Sequence, residues 1–168
     1  MTNEDFLKSL GATEITFVGR GKYCEAYSCL YKGKKLVAKV TSTKSDYNIS
    51  KFFGFYRKDI PKNLQANFTK YFYYAECRKR RKYVVFVEKL ELMQSRQWNE
   101  FHNCIFRNSS PNKNTSRIHK SINFLREQNF VLHDMHSSNI LMRGKEYVIN
   151  DVGLFEIPNK LKRKYKNK

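Results

Sequence analysis

Five short segments in the first half of the chain are rich in apolar, β-branched and aromatic residues, and polar or glycine-containing turns separate them. Segments of this length and composition are typical of strands. We expect strands near residues 13–18, 24–31, 35–41, 70–76 and 83–88. Two helices are predicted beside them, one over 3–10 with Gly11 as its stop and one over 46–57 before Pro61. The pattern therefore predicts an antiparallel five-stranded sheet.

The second half of the chain has a mainly helical pattern. Residues 92–106 predict one helix, and three apolar residues at helical spacing predict another: Ile118, Ile122 and Leu125. A polar segment at 107–116, with Pro111 and several Asn and Ser residues, is expected to be a loop. We expect the 168 residues to form one α+β unit of two small lobes, with a boundary near residue 90.

Two apolar runs near the end of the chain, at 140–142 and 147–149, predict a hairpin. Asp134 precedes Asn139 by five residues on the loop before this hairpin, and Asp151 follows Asn139 by twelve residues. An Asp on such a loop can accept the proton of a hydroxyl group, while an Asn and a second Asp hold magnesium beside nucleotide phosphates. Because the hairpin reverses the chain, we expect Asn139 and Asp151 on the same side. Either half of this pattern alone is also typical of an ordinary polar turn or strand end.

A glycine turn lies more than a hundred residues upstream of that loop. Gly19 and Gly21 would let backbone amides approach phosphate oxygens, because no Cβ interferes. Lys39, inside an apolar strand, can reach the α- and β-phosphates of a nucleotide. Alone, these features are better explained by a β-hairpin turn and a lysine at a strand surface. Together with the loop of Asp134 and Asn139 and with Asp151, in this order, they predict a protein-kinase-like fold. In such a fold, Glu88 to Leu90 would be the hinge whose backbone meets adenine.

These motifs resemble the protein kinase superfamily, and within it the early protein kinases of short-tailed lytic phages of the T-seven type. The resemblance rests on three segments and spans about residues 10–157; the segments are 19–28, 37–40 and 134–140. It implies an ATP- and Mg²⁺-dependent kinase, directed to Ser or Thr, that phosphorylates host cytoplasmic proteins of transcription and translation. It also implies that Lys39 orients phosphates, that Asp134 is the catalytic base, and that Asn139 and Asp151 bind Mg²⁺.

The largest departure from the kinase pattern concerns the partner of Lys39. The predicted helix over 46–57 contains no Glu, and the acidic residues between Lys39 and the fifth strand are few: Asp46, Asp59 and Glu76. An unpaired lysine would be poorly positioned. Either Asp46 substitutes for the glutamate, or Asp151 and the nucleotide alone orient Lys39.

Three further positions differ from the kinase pattern. Cys24 replaces the third glycine of the phosphate loop, and His136 stands where most eukaryotic kinases have a lysine two residues after the catalytic Asp. A neutral or cationic imidazole at 136 could contact the γ-phosphate, so we include His136 among the catalytic candidates. For His133 we expect a loop histidine satisfied by backbone carbonyls.

The domain plan is one minimal kinase-like domain, with an N-lobe over 1–90, a truncated C-lobe over 91–157 and a solvated, frayed basic tail over 158–168. We expect no activation segment and no peptide-docking helices in this sequence. Two alternatives stay open. One is a pseudokinase-like binding or inhibitory protein. The other is a small-molecule phosphotransferase, which would need helices after Asp151 that this sequence does not contain.

Charge suggests where partners bind. The chain has 33 Lys and Arg against 15 Asp and Glu, a formal net charge of +18, which would attract acidic proteins or nucleic acid. The cations concentrate at 78–82, a predicted hairpin tip, and at 160–168. Solubility explains such charge equally well. The resemblance implies host proteins as substrates, and the charge adds an acidic partner or nucleic acid as a further candidate.

The remaining composition points to a cytoplasmic protein, in the host cytoplasm if the protein is viral. The four cysteines form no C-x-x-C pair, so we expect no zinc site and reduced thiols. We find no signal peptide and no apolar run of membrane-spanning length, and expect no membrane partner. The sequence Asn67-Phe68-Thr69 matches a glycosylation signal that has no use without a secretory route.

Overall fold

The computed structural model describes residues 1–107, 109–133, 136–150 and 155–165. It divides into two compact units, which we call the first and the second unit. The first contains Met1–Gly54 and Lys70–Lys89, and the second contains Phe55–Thr69 and Leu90–Lys168. Residues 55–69, which we placed in the N-lobe, thus lie in the second unit. The assignment of both to one minimal domain stays a prediction.

An antiparallel five-stranded sheet forms the first unit, and the predicted α+β class with such a sheet is confirmed. Its strands are β1 Thr13–Arg20, β2 Cys24–Tyr31, β3 Lys34–Thr41, β4 Tyr71–Cys77 and β5 Lys82–Glu88. They lie in the order β1-β2-β3-β5-β4. The order places β3 at the centre, where both of its neighbours fix its register.

Helix α1, Asn3–Ser9, covers one face of this sheet. Its start is capped because the Thr2 hydroxyl accepts from the amide of Asp5 at 3.0 Å, and the Asp5 carboxylate accepts from the amide of Thr2 at 2.8 Å. Phe6 and Leu7 pack in one buried cluster with three residues of β3, which are Leu36, Ala38 and Val40. This face carries the larger apolar core of the unit.

Helix α2, Lys44–Tyr56, packs on the opposite face. Its Tyr47 lies in a buried cluster with Tyr83 and Val85 of β5. Gly54 brings the helix close to β4, since a Cβ added there would lie 1.8 Å from the Tyr74 hydroxyl oxygen. A glycine is therefore required at this point by packing and not by backbone conformation.

The second unit combines helices with two-stranded sheets. Helices α3 Ser95–Phe106 and α4 Ser116–Glu127 precede β6 Val131–Leu132, the hairpin of β7 Ile140–Arg143 and β8 Glu146–Ile149, and β9 Phe155–Glu156. The predicted apolar stripe of α4 is confirmed, because all three residues are fully buried: Ile118, Ile122 and Leu125. Within the described ranges, no helix is long and apolar enough to cross a membrane.

We expected the whole basic tail to be frayed, but part of it is a packed helix. Helix α5 spans Asn159–Tyr165, and Tyr165 is only 7% exposed. Its ring lies edge to face with Tyr56, with 6.2 Å between the ring centroids. Asp59 accepts hydrogen bonds from the Tyr165 hydroxyl and, at 2.7 Å, from Lys164 Nζ. Tyr165 thus attaches α5 to the second unit. The surrounding lysines and arginines gave no indication of this contact.

Candidate active site

The glycine turn joins β1 and β2 in the first unit. The Gly21 amide donates to the Cys24 carbonyl at 2.8 Å, and the Thr41 hydroxyl donates to the Tyr23 carbonyl at 2.8 Å. A Cβ added at Gly19 would meet nothing within 4 Å, and one at Gly21 would meet only Cys24 atoms, at 3.8 and 3.9 Å. Neither packing nor a left-handed backbone requires these glycines. Close approach of a ligand, as the sequence predicts, fits this open surface.

A polar network holds the base of this turn. Glu25 is the register partner of Arg20 and forms an ion pair with it. Its carboxylate also accepts from the Tyr27 hydroxyl at 2.5 Å and from Asn3 Nδ2 at 2.7 Å. The hydrogen bond from Tyr27, followed by that from Asn3, lowers the pKa of Glu25. Lys82 Nζ donates to Asn3 Oδ1 at 2.6 Å, so the network reaches from β2 to β5.

Lys39 occupies the centre of the sheet, with Ala26 of β2 and Val85 of β5 as its register partners. Its neighbours Ala38 and Val40 pack on the face that α1 covers. Successive residues of a strand point to opposite faces, and Val85 belongs to the cluster around Tyr47 of α2. The half-buried Lys39 therefore lies on the face of the sheet that α2 covers.

Asp46 is the acidic residue of α2, the helix that covers this face. It lies in the first turn of the helix, one residue before Tyr47, and its Oδ2 atom is buried. The other two acidic candidates bind elsewhere. Glu76 accepts from Arg78 at 2.6 Å, and Asp59 accepts from Lys164 in the second unit. Of the three carboxylates that the sequence offers, Asp46 is thus the one on the helix that covers the face of Lys39.

The predicted hinge begins at the end of β5. Glu88 Oε1 accepts from the Lys70 amide at 2.7 Å, and the Glu88 amide donates to the Lys70 carbonyl at 3.1 Å. Leu90, half-buried, begins the second segment of the second unit. The next residue, Glu91, exchanges two backbone hydrogen bonds with Met142 of β7, at 2.9 and 2.8 Å. Contact of Glu88 or Leu90 with adenine stays a prediction.

His136 and Asn139 hold each other on the loop before β7. His136 Nε2 lies 2.9 Å from Asn139 Nδ2, and His136 Nδ1 lies 2.7 Å from the Ser138 hydroxyl. The amide nitrogen is a donor, so Nε2 accepts from it. Both ring nitrogens are thus used in orienting neighbours. The predicted catalytic base, Asp134, lies outside the described residues.

The hairpin brings together the two chain segments that should carry the metal ligands. Ile140 pairs with Ile149, and the Asn150 amide donates to the Asn139 carbonyl at 2.9 Å. The bond from Asn139 to His136 uses the nitrogen of its side-chain amide, and the oxygen is the atom that magnesium prefers. Asp151, next after Asn150, lies outside the described residues. The hairpin itself is as the sequence predicts.

Buried polar side chains anchor this hairpin, and the sequence did not reveal them. Asn67, only 1% exposed, donates to the Tyr147 carbonyl at 2.7 Å and accepts from the Ser121 hydroxyl at 3.1 Å. The Thr69 hydroxyl donates to the Ile149 carbonyl at 2.9 Å. Asn67 and Thr69 belong to the glycosylation-like sequence that we set aside. Asn67 and Thr69 stand next to apolar residues in a segment with no predicted helix or strand, and this pattern could have indicated buried polar side chains.

His133 also differs from expectation. Its Nε2 lies 3.8 Å from Glu156 Oε2, and both side chains are more than half exposed. The contact follows from the pairing of β6 with β9, in which Val131 is the register partner of Glu156. His133 therefore faces a carboxylate at the surface, in place of the backbone carbonyls that we expected.

Comparison with known proteins finds likeness in structure and not in sequence. No family model and no curated protein matches the chain, whereas 1064 solved chains match its structure. One is the crystal structure of the PF14_0431 kinase domain, with a TM-score of 0.59 and 16% sequence identity. The match covers 85% of this chain and 50% of that chain, so this chain spans about half the length of that kinase structure. The protein therefore has a protein-kinase-like fold.

Proposed function

We propose that the protein is a protein kinase that transfers the γ-phosphate of ATP, with Mg²⁺, to a Ser or Thr hydroxyl. The observation that carries the proposal is the hairpin of the second unit. It joins Asn139 to Asn150, the neighbour of Asp151, by a backbone hydrogen bond of 2.9 Å. In protein kinases the Asn of the catalytic loop and an Asp that follows it in the chain hold the metal, and this bond brings Asn139 next to the residue that precedes Asp151.

In the first unit, Lys39 would bind the α- and β-phosphates, and the glycine turn would cover the phosphates with its amides. Asp46 would act as the positioning residue for Lys39 in place of the missing glutamate. Its buried Oδ2 atom and its place in the first turn of α2 support this role. The carboxylate is shorter than that of glutamate by one methylene group, so α2 would have to approach Lys39 closely. Gly54 gives the helix such a close approach to the sheet at its other end.

In the second unit, Asp134 would accept the proton of the acceptor hydroxyl as the γ-phosphate is transferred. Asn139 Oδ1 and the Asp151 carboxylate would hold Mg²⁺, which neutralises phosphate charge when bound. Within the described residues there is no cluster of three or more His, Cys, Asp or Glu side chains. A site with only one or two protein ligands is sufficient for magnesium, because waters and phosphate oxygens complete its coordination.

His136 has a narrower role in this proposal than the sequence suggested. Because its ring nitrogens contact Ser138 and Asn139, a contact with the γ-phosphate would break one of these bonds. We therefore assign His136 to positioning Asn139. Since the side-chain nitrogen of Asn139 bonds to His136, the amide oxygen of Asn139 would be the atom that holds Mg²⁺.

The acceptors are proposed to be host cytoplasmic proteins of the transcription and translation machinery, and the protein to be phage-encoded. This part of the proposal rests on the resemblance of residues 19–28 and 134–140 to the phage kinases. The charge of +18 would favour acidic acceptor proteins.

Phosphate transfer to a host lysate tests the proposal. The full chain is incubated with γ-labelled ATP and Mg²⁺, beside Asp134→Asn and Lys39→Met. Loss of the general base should lower transfer by about 10²–10⁴-fold. Lys120→Met, at an exposed position of α4, is the matched control for Lys39→Met and should keep full transfer. The proposal fails if the unsubstituted protein transfers no more label than Asp134→Asn.

A further inference from the structure

Two turns of the first unit and the end of β3 meet at one end of its sheet. Cys24 at the start of β2 pairs with Thr41 at the end of β3, and Thr41 pairs with Tyr83 at the start of β5. The glycine turn, the end of β3 and the turn between β4 and β5 therefore surround one cleft of about 270 Å³. Its cationic lining residues come from both turns and define what we call the basic cleft: Arg20, Lys22, Arg80 and Lys82.

The charge of the basic cleft is largely uncompensated. Glu25 is the one carboxylate in its lining, and it already accepts from Arg20, Tyr27 and Asn3. In the part of the chain that the structure describes, neither Lys22 nor Arg80 forms an ion pair, and both are exposed. Further cations continue the positive surface over the tip of the β4–β5 turn: Arg78, Lys79 and Arg81. Of these, Arg78 pairs with Glu76.

The basic cleft lies on the other face of the sheet from Lys39. Val40 lines the cleft and packs in the cluster with Phe6 and Leu7 of α1. Lys39, the preceding residue of β3, faces α2, because neighbouring residues of a strand alternate between faces. Gly21 of the glycine turn also lines the cleft, so a ligand of the cleft and the nucleotide of the proposed reaction would lie on opposite faces of the sheet, next to the same turn.

One exposed aromatic ring stands beside these cations, and a second is linked to the cleft through Tyr27. Tyr23 lines the cleft and is 57% exposed, with Lys22 Nζ 5.0 Å from the centre of its ring. Phe17 is 51% exposed and packs edge to face against Tyr27, whose hydroxyl donates to Glu25 in the cleft lining. Cations that follow a phosphate backbone, with rings on which bases stack, are the features of proteins that bind single-stranded nucleic acid.

We propose that the basic cleft binds single-stranded nucleic acid, with the phosphodiester backbone on Arg20, Lys22, Arg80 and Lys82 and a base stacked on Tyr23. The net charge of +18 attracts any polyanion, and the cleft supplies the place where a strand is held. An acidic protein surface offers carboxylates to the same cations but no rings to stack on Tyr23. The exposed rings therefore favour nucleic acid.

Fluorescence anisotropy with a labelled single-stranded oligouridine tests this assignment on the full chain. The double variant Lys22→Gln, Arg80→Gln is compared with Lys160→Gln, Lys162→Gln, which removes the same charge from exposed positions of α5. The cleft variant should bind about fivefold or more weaker than its control. Its slope of log affinity against log salt should fall by about 1.4, which is 0.7 for each of two lost phosphate contacts.

Further arms separate nucleic acid from other anions. Tyr23→Leu, which keeps an apolar side chain but removes the ring, should weaken binding of oligouridine by about fivefold or more. Polyglutamate of equal charge should compete far less well than unlabelled oligouridine, and saturating Mg·ATP should not displace the strand. All variants are compared by circular dichroism, so that a loss of folding is recognised.

Four results would overturn the proposal. Equal losses in the cleft and α5 variants would mean general charge attraction, and equal competition by polyglutamate would mean an acidic protein ligand. Displacement by Mg·ATP would place the strand in the nucleotide site. If the unsubstituted protein does not bind oligouridine at low salt, it has no nucleic-acid-binding activity. None of these results depends on phosphate transfer, so the proposed kinase function is tested separately.

Discussion

The two units hold their predicted site residues by different means. In the first, Lys39 and the glycine turn belong to one antiparallel sheet, where backbone register fixes each position. In the second, Asn139 precedes a hairpin whose strands have four residues each. Side chains from outside the hairpin hold it through hydrogen bonds, and the central one is Asn67.

This difference determines which substitutions matter. A strand in the middle of a sheet tolerates the loss of one side-chain contact, because the ladder of backbone bonds remains. A short hairpin cannot supply such redundancy. We therefore expect polar substitutions to damage the second unit more than the first, and the following variants test this expectation.

Asn67→Ala should have the largest effect on stability. It leaves the Tyr147 carbonyl without this partner in a buried place, whereas the Ser121 hydroxyl keeps its bond to the Arg117 carbonyl at 3.0 Å. An unsatisfied buried group costs about 1–3 kcal/mol, so the free energy of unfolding should fall by that amount. Urea denaturation measures it, with Asn99→Ala on the exposed side of α3 as control. Equal midpoints for the two variants would show that Asn67 does not anchor the hairpin.

Asp46→Asn should have the next largest effect, which is a loss of kinase activity. If Asp46 orients Lys39, loss of its charge misplaces the ammonium group, and kcat/KM for ATP should fall by up to about 10²-fold. Asp46→Glu restores a carboxylate and should recover part of that loss. Steady-state phosphate transfer measures both variants. Equal activity of Asp46→Asn and the unsubstituted protein would mean that the nucleotide and Asp151 suffice.

Gly54→Ala tests the packing of α2 in the first unit. The added methyl group would collide with the Tyr74 hydroxyl oxygen, 1.8 Å from the new Cβ. Crowding of this kind costs about 1–3 kcal/mol, from which a gain of up to about 1 kcal/mol in helix propensity is subtracted. The loss should shrink when Tyr74→Phe removes the hydroxyl. A double-mutant cycle with no coupling between the positions would contradict the close contact.

Glu25→Gln should have the smallest effect, and one that depends on pH. The folded protein lowers the pKa of Glu25 below its ordinary value of 4.5. The charged carboxylate therefore contributes stability above about pH 4.5 that is lost as pH falls through the lower folded-state pKa. At pH 7 the variant should be less stable by about 0.5–1.5 kcal/mol. Urea midpoints at pH 7 and pH 3 measure it, and a constant difference would contradict the assignment.

Sequence patterns predicted the first unit better than the second, for a physical reason. The strands around Lys39 bury alternate apolar residues, and such burial is visible in a local window of sequence. Asn67 and its partner in β8 are 80 residues apart, and no local pattern reveals a contact at that distance. The same holds for Asp59 and Tyr165, whose hydrogen bond attaches α5. The many lysines of α5 had led us to predict a solvated segment.

The candidate site was predictable to a similar extent. The hairpin that joins Asn139 to Asn150 followed from two apolar runs and a Gly-containing turn. The contact between His136 and Asn139 did not, because a histidine near a catalytic loop suggests phosphate binding as readily as support of a neighbour. The basic cleft was hidden for a third reason, since its cations come from two turns far apart in sequence.

Calorimetric titration of ATP, with Mg²⁺ and with a chelator, tests the central claim most directly. The claim is that Asn139 holds the Mg²⁺ of the nucleotide whose phosphates Lys39 orients. Lys39→Met should weaken ATP binding in both conditions, whereas Asn139→Ala should remove only the affinity that Mg²⁺ adds. If Mg²⁺ adds no affinity in the unsubstituted protein, or if Asn139→Ala leaves that gain unchanged, the claim is contradicted.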